Sequence, residues 1–309
     1  MIVRILPSQI ETPTGWFRGF EHPCYKNHEV ALLYLQHTPG PPLNRFVRML
    51  WYARAPQVKH SRERILPTGN TQIILNLARE FLHDCPDGQP ERRSPPSIIV
   101  GSRSIYEIVN TSDMADLIGI VFEPGGFPLF ASDAADLFSN RSVDLEDVWG
   151  LQARDIRDRL REILSPRARL ECFEAFLAAA FRKRLMEPRP MRHCAVAYAL
   201  QRFAYAPSIA TVRDVAHGTG WSERRFSQIF REEVGLTPKV WCRIQRFQSA
   251  VHQLHAGVDV PWAELALSCG FYDQSHFANE FRAFSGVDVT TYSARRTVWA
   301  NHIAVEKTD

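Results

Sequence analysis

An α+β chain is the predicted fold: a β-rich N-terminal part with trailing helices, then an all-α part of two helix-turn-helix units joined by a linker helix. Three observations carry that prediction. Apolar runs of strand length, separated by Pro and Gly turns, fill the chain as far as Gly126. From Leu151 the apolar residues recur instead at steps of three and four. Beyond Met191 a helix, turn and helix pattern occurs twice, fifty residues apart.

The 309 residues are 45% hydrophobic and 23% charged, which allows a sizeable core and excludes disordered, collagen-like and coiled-coil classes. Length gives a prior of two domains, expected as 1–189 and 190–309. The longest near-apolar stretch, Phe173 to Phe181, is too short for a membrane span and contains Glu174. No charged segment followed by an apolar one opens the chain, so a cytoplasmic protein with no membrane partner is expected. The six cysteines form no CxxC pair or zinc knuckle and read as reduced thiols. Net charge is +3 and spread evenly, with 13 Lys and Arg against 11 Asp and Glu in 190–309. Bulk charge therefore does not mark a nucleic-acid binder.

In chain order, Pro39 to Pro42 mark a loop and Pro67-Thr-Gly-Asn70 a turn, after which Thr71 to Leu77 reads as a strand. Asp84 to Ser97, with four prolines and several charges, is expected to be an exposed loop. Ile98 to Val100 and Leu117 to Phe122 are further strands, the second stopped by Pro124-Gly-Gly126. Ile156, Leu160 and Ile163 stripe a helix over Leu151 to Leu164. Ser165-Pro166 reads as a cap and first helical position of another running to Leu185, striped by Leu170, Phe173, Phe176, Leu177 and Phe181. Glu187-Pro-Arg-Pro190 is the expected boundary. Beyond Met191 no strand is expected.

The repeat is the most informative feature. Val212-x-x-Val215-Ala216-x-x-x-Gly220-Trp221-Ser222, followed by Phe226, Ile229, Phe230, Gly235 and Trp241, matches Trp262-x-x-Leu265-Ala266-x-x-x-Gly270-Phe271, followed by Phe277, Phe281, Gly286 and Tyr292. Small Ala216 and Ala266 admit a second helix crossing close above them. Gly220 and Gly270 end the first helix in a left-handed conformation, and Ser222 caps the next. This is helix-turn-helix grammar, twice. Projected at 100° per residue, the second helices leave Arg224, Gln228 and Arg231 outward in one unit and Ser275, Asn279 and Arg282 at equivalent places in the other. Arg forks onto guanine and Gln or Asn pairs with adenine, so Arg224, Gln228, Ser275 and Asn279, assisted by Gln274, are the candidate base readers. Arg231, Arg282, Ser222 and Arg246 are the candidate phosphate contacts. Pro238 to Ala256 forms the linker helix; about 18 residues span roughly 27 Å, close to the roughly 34 Å between successive major-groove segments. Arg243, Arg246, Arg295 and Arg296 read either as phosphate contacts or as ordinary solvated side chains.

Residues of about 195–299 resemble the AraC/XylS family of transcription regulators. The resemblance is most specific at Gly235-Leu-Thr-Pro238, Arg246-Phe-x-x-Ala250 and Leu265-Ala-x-x-x-Gly-Phe-Tyr-Asp-Gln-Ser-His-Phe277 with Phe281. It implies binding to double-stranded promoter DNA and contact with RNA polymerase. Departures are Tyr272 where Ser is usual, which leaves the cap to Tyr272 or Asp273, Gln228 and Asn279 where many members carry Arg or Lys, and Gly286-Val-Asp-Val289 in place of Gly-x-Thr-Pro. Glu232, Glu233 and Glu280 beside the reading face predict modest non-specific affinity. Ile65-Leu-Pro-Thr-Gly-Asn70, Phe122-Glu-Pro-Gly-Gly-Phe127 and Leu145-Glu-Asp-Val-Trp-Gly150 resemble an uncharacterised sensor-like domain that precedes this module in one branch of the family. That resemblance implies a cupin-like β-structure with a small-molecule effector or a homodimer contact as its role.

No Gly-x-Ser-x-Gly, P-loop, His-Glu-x-x-His or dinucleotide turn is present, so no enzyme and no cofactor is expected. His22, Cys24 and His28-Glu29 fit no recognised metal spacing. Two alternatives remain beside regulation: an architectural or antagonist DNA-binding protein, and a cysteine-dependent DNA repair protein fused to a helix-turn-helix.

Overall fold

The computed structural model describes residues 16–17, 33–55, 60–85, 90–186, 193–205, 211–257, 261–297 and 299–305. The strands run in order β1 (Trp16–Phe17), β2 (Leu33–His37), β3 (Val47–Arg54), β4 (Arg62–Ile65), β5 (Gln72–Asn76), β6 (Leu82–Asp84), β7 (Arg92–Ser94), β8 (Ser97–Val100), β9 (Glu107–Asn110), β10 (Leu117–Phe122) and β11 (Ser142–Asp144). Helices α1 (Glu146–Trp149), α2 (Leu151–Glu162), α3 (Pro166–Leu185) and α4 (Cys194–Tyr205) follow, then the repeat. A last strand, β12 (His302–Val305), closes the described chain. No helix among the described residues is long and apolar enough to cross a membrane.

One antiparallel sheet has the order β1-β2-β3-β10-β5-β8-β11 and a second β12-β4-β9-β6-β7. The uninterrupted apolar run of β10 follows from its place between β3 and β5, where both faces are covered and all six residues are buried. Gly119 at its centre has a packing cause, because a Cβ there would lie 2.5 Å from the Trp51 ring. On β5 the period of two separates the faces. Ile73 and Leu75 join the core formed with α2 and α3, while Ile74 packs with Leu82, Ile98, Val100 and Leu117. Ser165 caps α3 as expected, accepting from the Ala168 amide. Its stripe of Leu170, Phe173, Leu177 and Phe181 is buried, with Phe176 at the margin.

Two expectations are corrected. The Asp84 to Ser97 segment contains β7 and the ends of β6 and β8; Asp84, His83 and Leu82 pair with Arg92, Arg93 and Ser94. Backbone pairing at a sheet edge needs no apolar side chains, so the charges that suggested a loop are compatible with a strand. The helical last third also ends in a strand. Residues His302 to Val305 pair antiparallel with β4, and Ile303 is fully buried. Four residues carry too little periodicity to announce this; the partner edge, some 240 positions earlier, supplies the reason. The Glu187 to Pro190 boundary and the His22, Cys24 and His28 group lie outside the described residues.

The β4–β12 seam carries a buried charge. Glu63, 3% exposed, receives His60 Nε2 at 2.5 Å and His302 Nδ1 at 2.6 Å. Burial alone pushes its carboxyl up, but the hydrogen bonds and charges of His302 and His60 outweigh burial and hold it at about 2, against an ordinary 4.5. A depressed folded value means that the contribution is present above about 4.5 and lost as pH falls towards about 2. Glu63→Gln is therefore expected to cost about 1–3 kcal/mol at neutral pH. It should also flatten the acid limb of stability in that window, read by denaturant unfolding across pH.

Candidate nucleic-acid interface

The first unit is α5 (Val212–Gly218) followed by α6 (Glu223–Val234), and the second α8 (Trp262–Ser268) followed by α9 (Gln274–Ser285). Between them runs α7 (Pro238–His255), and α10 (Val289–Arg295) follows. Turn chemistry places each second helix. Gly220 and Gly270 adopt φ of +75° and +79°. Ser222 Oγ accepts from the Arg225 amide, and Asp273, rather than Tyr272, takes the equivalent cap from His276. Ala216 and Ala266 are fully buried beneath the crossings. Phe226 and Phe230 in one unit, and Phe277 and Phe281 in the other, are fully buried in one core with α7, which Phe230 meets at Trp241 and Phe281 at Phe247.

These inward faces leave Arg224, Gln228 and Arg231 on α6, and Gln274, Ser275, Asn279 and Arg282 on α9, exposed. Their availability differs. Gln228 Nε2 donates to Glu232 one turn on, at 2.8 Å, an exposed contact that rearranges at little cost. Arg231 Nε lies 3.0 Å from Asp136 Oδ2 in the 3-10 turn Ala135–Phe138 of the N-terminal half. The phosphate role expected of Arg231 thus requires that pair to open. Ser222 is committed to its cap. Arg246 is half-buried, its Nε shielded from solvent without a hydrogen bond among the described residues. Arg243, open at the outset to a phosphate reading, is spent on Glu280 through two hydrogen bonds of 2.7 and 2.6 Å. That pairing holds the Glu280 carboxyl below its usual range, so the acid tethers α9 to α7 instead of repelling DNA. Arg296 donates to the Leu254 carbonyl.

The contacts that seat this region on the N-terminal half were invisible in the sequence. Ser102 Oγ donates to the Val234 carbonyl at 2.8 Å and Ser139 Oγ to that of Gly235, at the C-terminal end of α6. Gly235 has φ +90°, and a Cβ there would stand 3.1 Å from Ser102 Oγ. The Pro67 to Gly69 turn lies along α7: Gln248 donates to the Pro67 carbonyl at 2.8 Å and Gln245 to that of Thr68 at 3.2 Å. Leu66 enters the helical core itself. Its Pro-Thr-Gly sequence signalled a turn, but not what the turn would meet.

With Arg231 57% exposed, the Arg231–Asp136 pair stabilises by about 0–1 kcal/mol at most. Asp136→Asn is expected to leave the midpoint of unfolding nearly unchanged. It should raise affinity for duplex DNA and steepen the dependence on log salt by about one unit, as one more cation becomes available. Titration of labelled duplex at several salt concentrations measures both.

Residues 215–295 match a family model described as a helix-turn-helix domain, and residues 35–144 one described as a domain of unknown function (DUF6597). No curated protein matches. Among solved structures the chain is similar to ToxT from Vibrio cholerae, at 12% identity over 77% of this chain and 97% of that one, with a TM-score of 0.45. It is also similar to the C-terminal domain of the response regulator AraT from Geobacillus stearothermophilus, at 23% identity over 39% and 95%, TM-score 0.33. A third is the DNA-binding domain of the global transcriptional factor AdpA in complex with a target DNA, at 26% identity over 32% and 90%, TM-score 0.30. The chain carries a helix-turn-helix domain at residues 215–295, behind a domain of unknown function at residues 35–144.

Proposed function

We propose that this chain is a sequence-specific transcription regulator that reads two successive major-groove segments of promoter DNA with α6 and α9. The observation that carries the proposal is the duplicated scaffold: two capped helices, each buried through a Phe pair, present polar and basic side chains at equivalent exposed positions. Arg224, Gln228, Ser275 and Asn279, with Gln274, read bases; Arg282 holds a phosphate, and Arg231 joins it once released from Asp136. Residues 190–309 form the DNA-reading unit and 1–189 a sensor or dimerisation unit that answers a small effector. Contact with RNA polymerase transmits the outcome. An architectural role is the second reading; the acidic Glu232 and Glu233 beside the reading face weaken the unspecific attraction on which it depends, and so favour selective reading.

Selection of binding sites from random duplex by the full chain, at two salt concentrations, tests the proposal. Enrichment of a motif with two half-sites about one helical turn apart is expected; unselective binding that vanishes with salt would leave the architectural reading. On the selected site, Arg224→Ala and Asn279→Ala should each cost about 1–3 kcal/mol and relax preference at one position. Arg282→Ala should weaken selected and random duplexes alike and flatten the salt slope by about one unit.

A further inference from the structure

A cleft of about 420 Å³ opens where β4 meets the α9–α10 junction, lined by Arg64, Arg282, Gly286, Asp288, Thr291 and Arg295 among others. Two guanidinium groups there, those of Arg64 and Arg282, face one carboxylate. That carboxylate is committed elsewhere: Asp288 accepts from the Thr291 amide at 2.8 Å and its hydroxyl at 3.0 Å, capping α10. The lining keeps an excess of positive charge.

Arg64 is the unusual member. It is 8% exposed, yet pairs with no carboxylate among the described residues, and its Nε is shielded from solvent without a hydrogen bond. Its guanidinium carbon lies 5.4 Å from the Tyr106 ring. Tyr106 in turn presses on Gly286, where a Cβ would lie 2.5 Å from the ring and φ is +72°. The tyrosine thus fixes both the arginine and the turn that ends α9. A buried cation without a partner is costly, and a forked donor held in place is suited to an oxyanion. Arg282 is exposed and likewise free of a carboxylate among the described residues. Apart from Val287 and Gly286 the lining is polar or charged, which suits a charged ligand, and the volume falls in the range of a compact small molecule.

We propose that this cleft binds a small molecule bearing a phosphate group, held by Arg64 from the N-terminal half and by Arg282 from the C-terminal half. Such a ligand bridges the two halves and takes up Arg282, so it competes with DNA for that side chain; affinities of the two are then reciprocally lowered. The competition rests on the DNA-binding reading above, whereas the anion site does not.

The test uses the full chain and inorganic phosphate as probe, followed by calorimetric titration and by the melting temperature, against potassium chloride at matched ionic strength. Saturable binding is expected, with a melting temperature raised by phosphate but not by chloride. Arg64→Gln should weaken binding at least tenfold and abolish the phosphate-specific rise, while Arg64→Lys retains part of it. Arg282→Gln provides a second, exposed position should Arg64→Gln fail to fold. Absence of saturable binding, or binding indifferent to both Gln variants, overturns the proposal. So does the case in which free phosphate fails to bind but Arg64→Gln flattens the salt slope of DNA binding, because the cleft would then be seated on the DNA backbone. Phosphate binding without loss of DNA affinity would keep the anion site and defeat only the competition.

Discussion

The buried apolar face of α7 is the constraint on which the rest of the C-terminal architecture depends. Trp241, Ile244, Phe247, Val251 and Leu254 recur at helical spacing, and all are buried. Phe230 of the first unit meets Trp241, and Phe281 and Phe284 of the second meet Phe247. Each fully buried side chain of this size stabilises by about 1.5–3 kcal/mol. The two units cannot rotate independently without exposing that surface. The same burial that folds the domain therefore fixes the relative orientation of α6 and α9, and with it which polar side chains point away from the core.

The seams to the N-terminal half are of a different kind. At α6 they are hydrogen bonds from Ser102 and Ser139 and an exposed ion pair to Asp136. At α7 they are two glutamine amides on the Pro67 to Gly69 turn. These are weaker individually than the aromatic contacts within the helical core, by the ordinary balance between net hydrogen bonds and buried apolar surface. The exceptions are Leu66, which enters the helical core, and β12, which makes a continuous strand pairing with β4 and buries Ile303 and Glu63. Among the described residues a continuous strand seam thus stands at the edge of the second sheet, and largely polar seams at α6 and α7. Arg231, the residue whose chemistry suits a phosphate, is among the polar contacts.

The helix-turn-helix units were legible because their physics is local. Caps, left-handed glycines and Phe stripes act within a dozen residues, so Ser222, Gly220, Gly270, Phe226 and Phe277 could be placed from spacing alone. The strand at Leu117 to Phe122 was legible for the opposite reason: a fully buried strand must be apolar throughout. The β6–β7 hairpin was not legible, since an exposed edge pair shows neither property. Arg243 and Arg246 were ambiguous for want of knowing what lay beside them.

By itself, then, the sequence determined the order of a β-rich part before a helical one, the repeated units, their turns and the outward faces of α6 and α9, because periodicity and capping are written over short stretches. Tertiary structure alone decided which outward groups are free. It paired Arg231 with Asp136 and Arg243 with Glu280, returned His302 to Val305 to β4, and left Arg64 buried without a carboxylate near Arg282. Each of these joins residues dozens to hundreds of positions apart, and an ion pair, a strand edge or an unpartnered charge leaves no periodic trace in the chain.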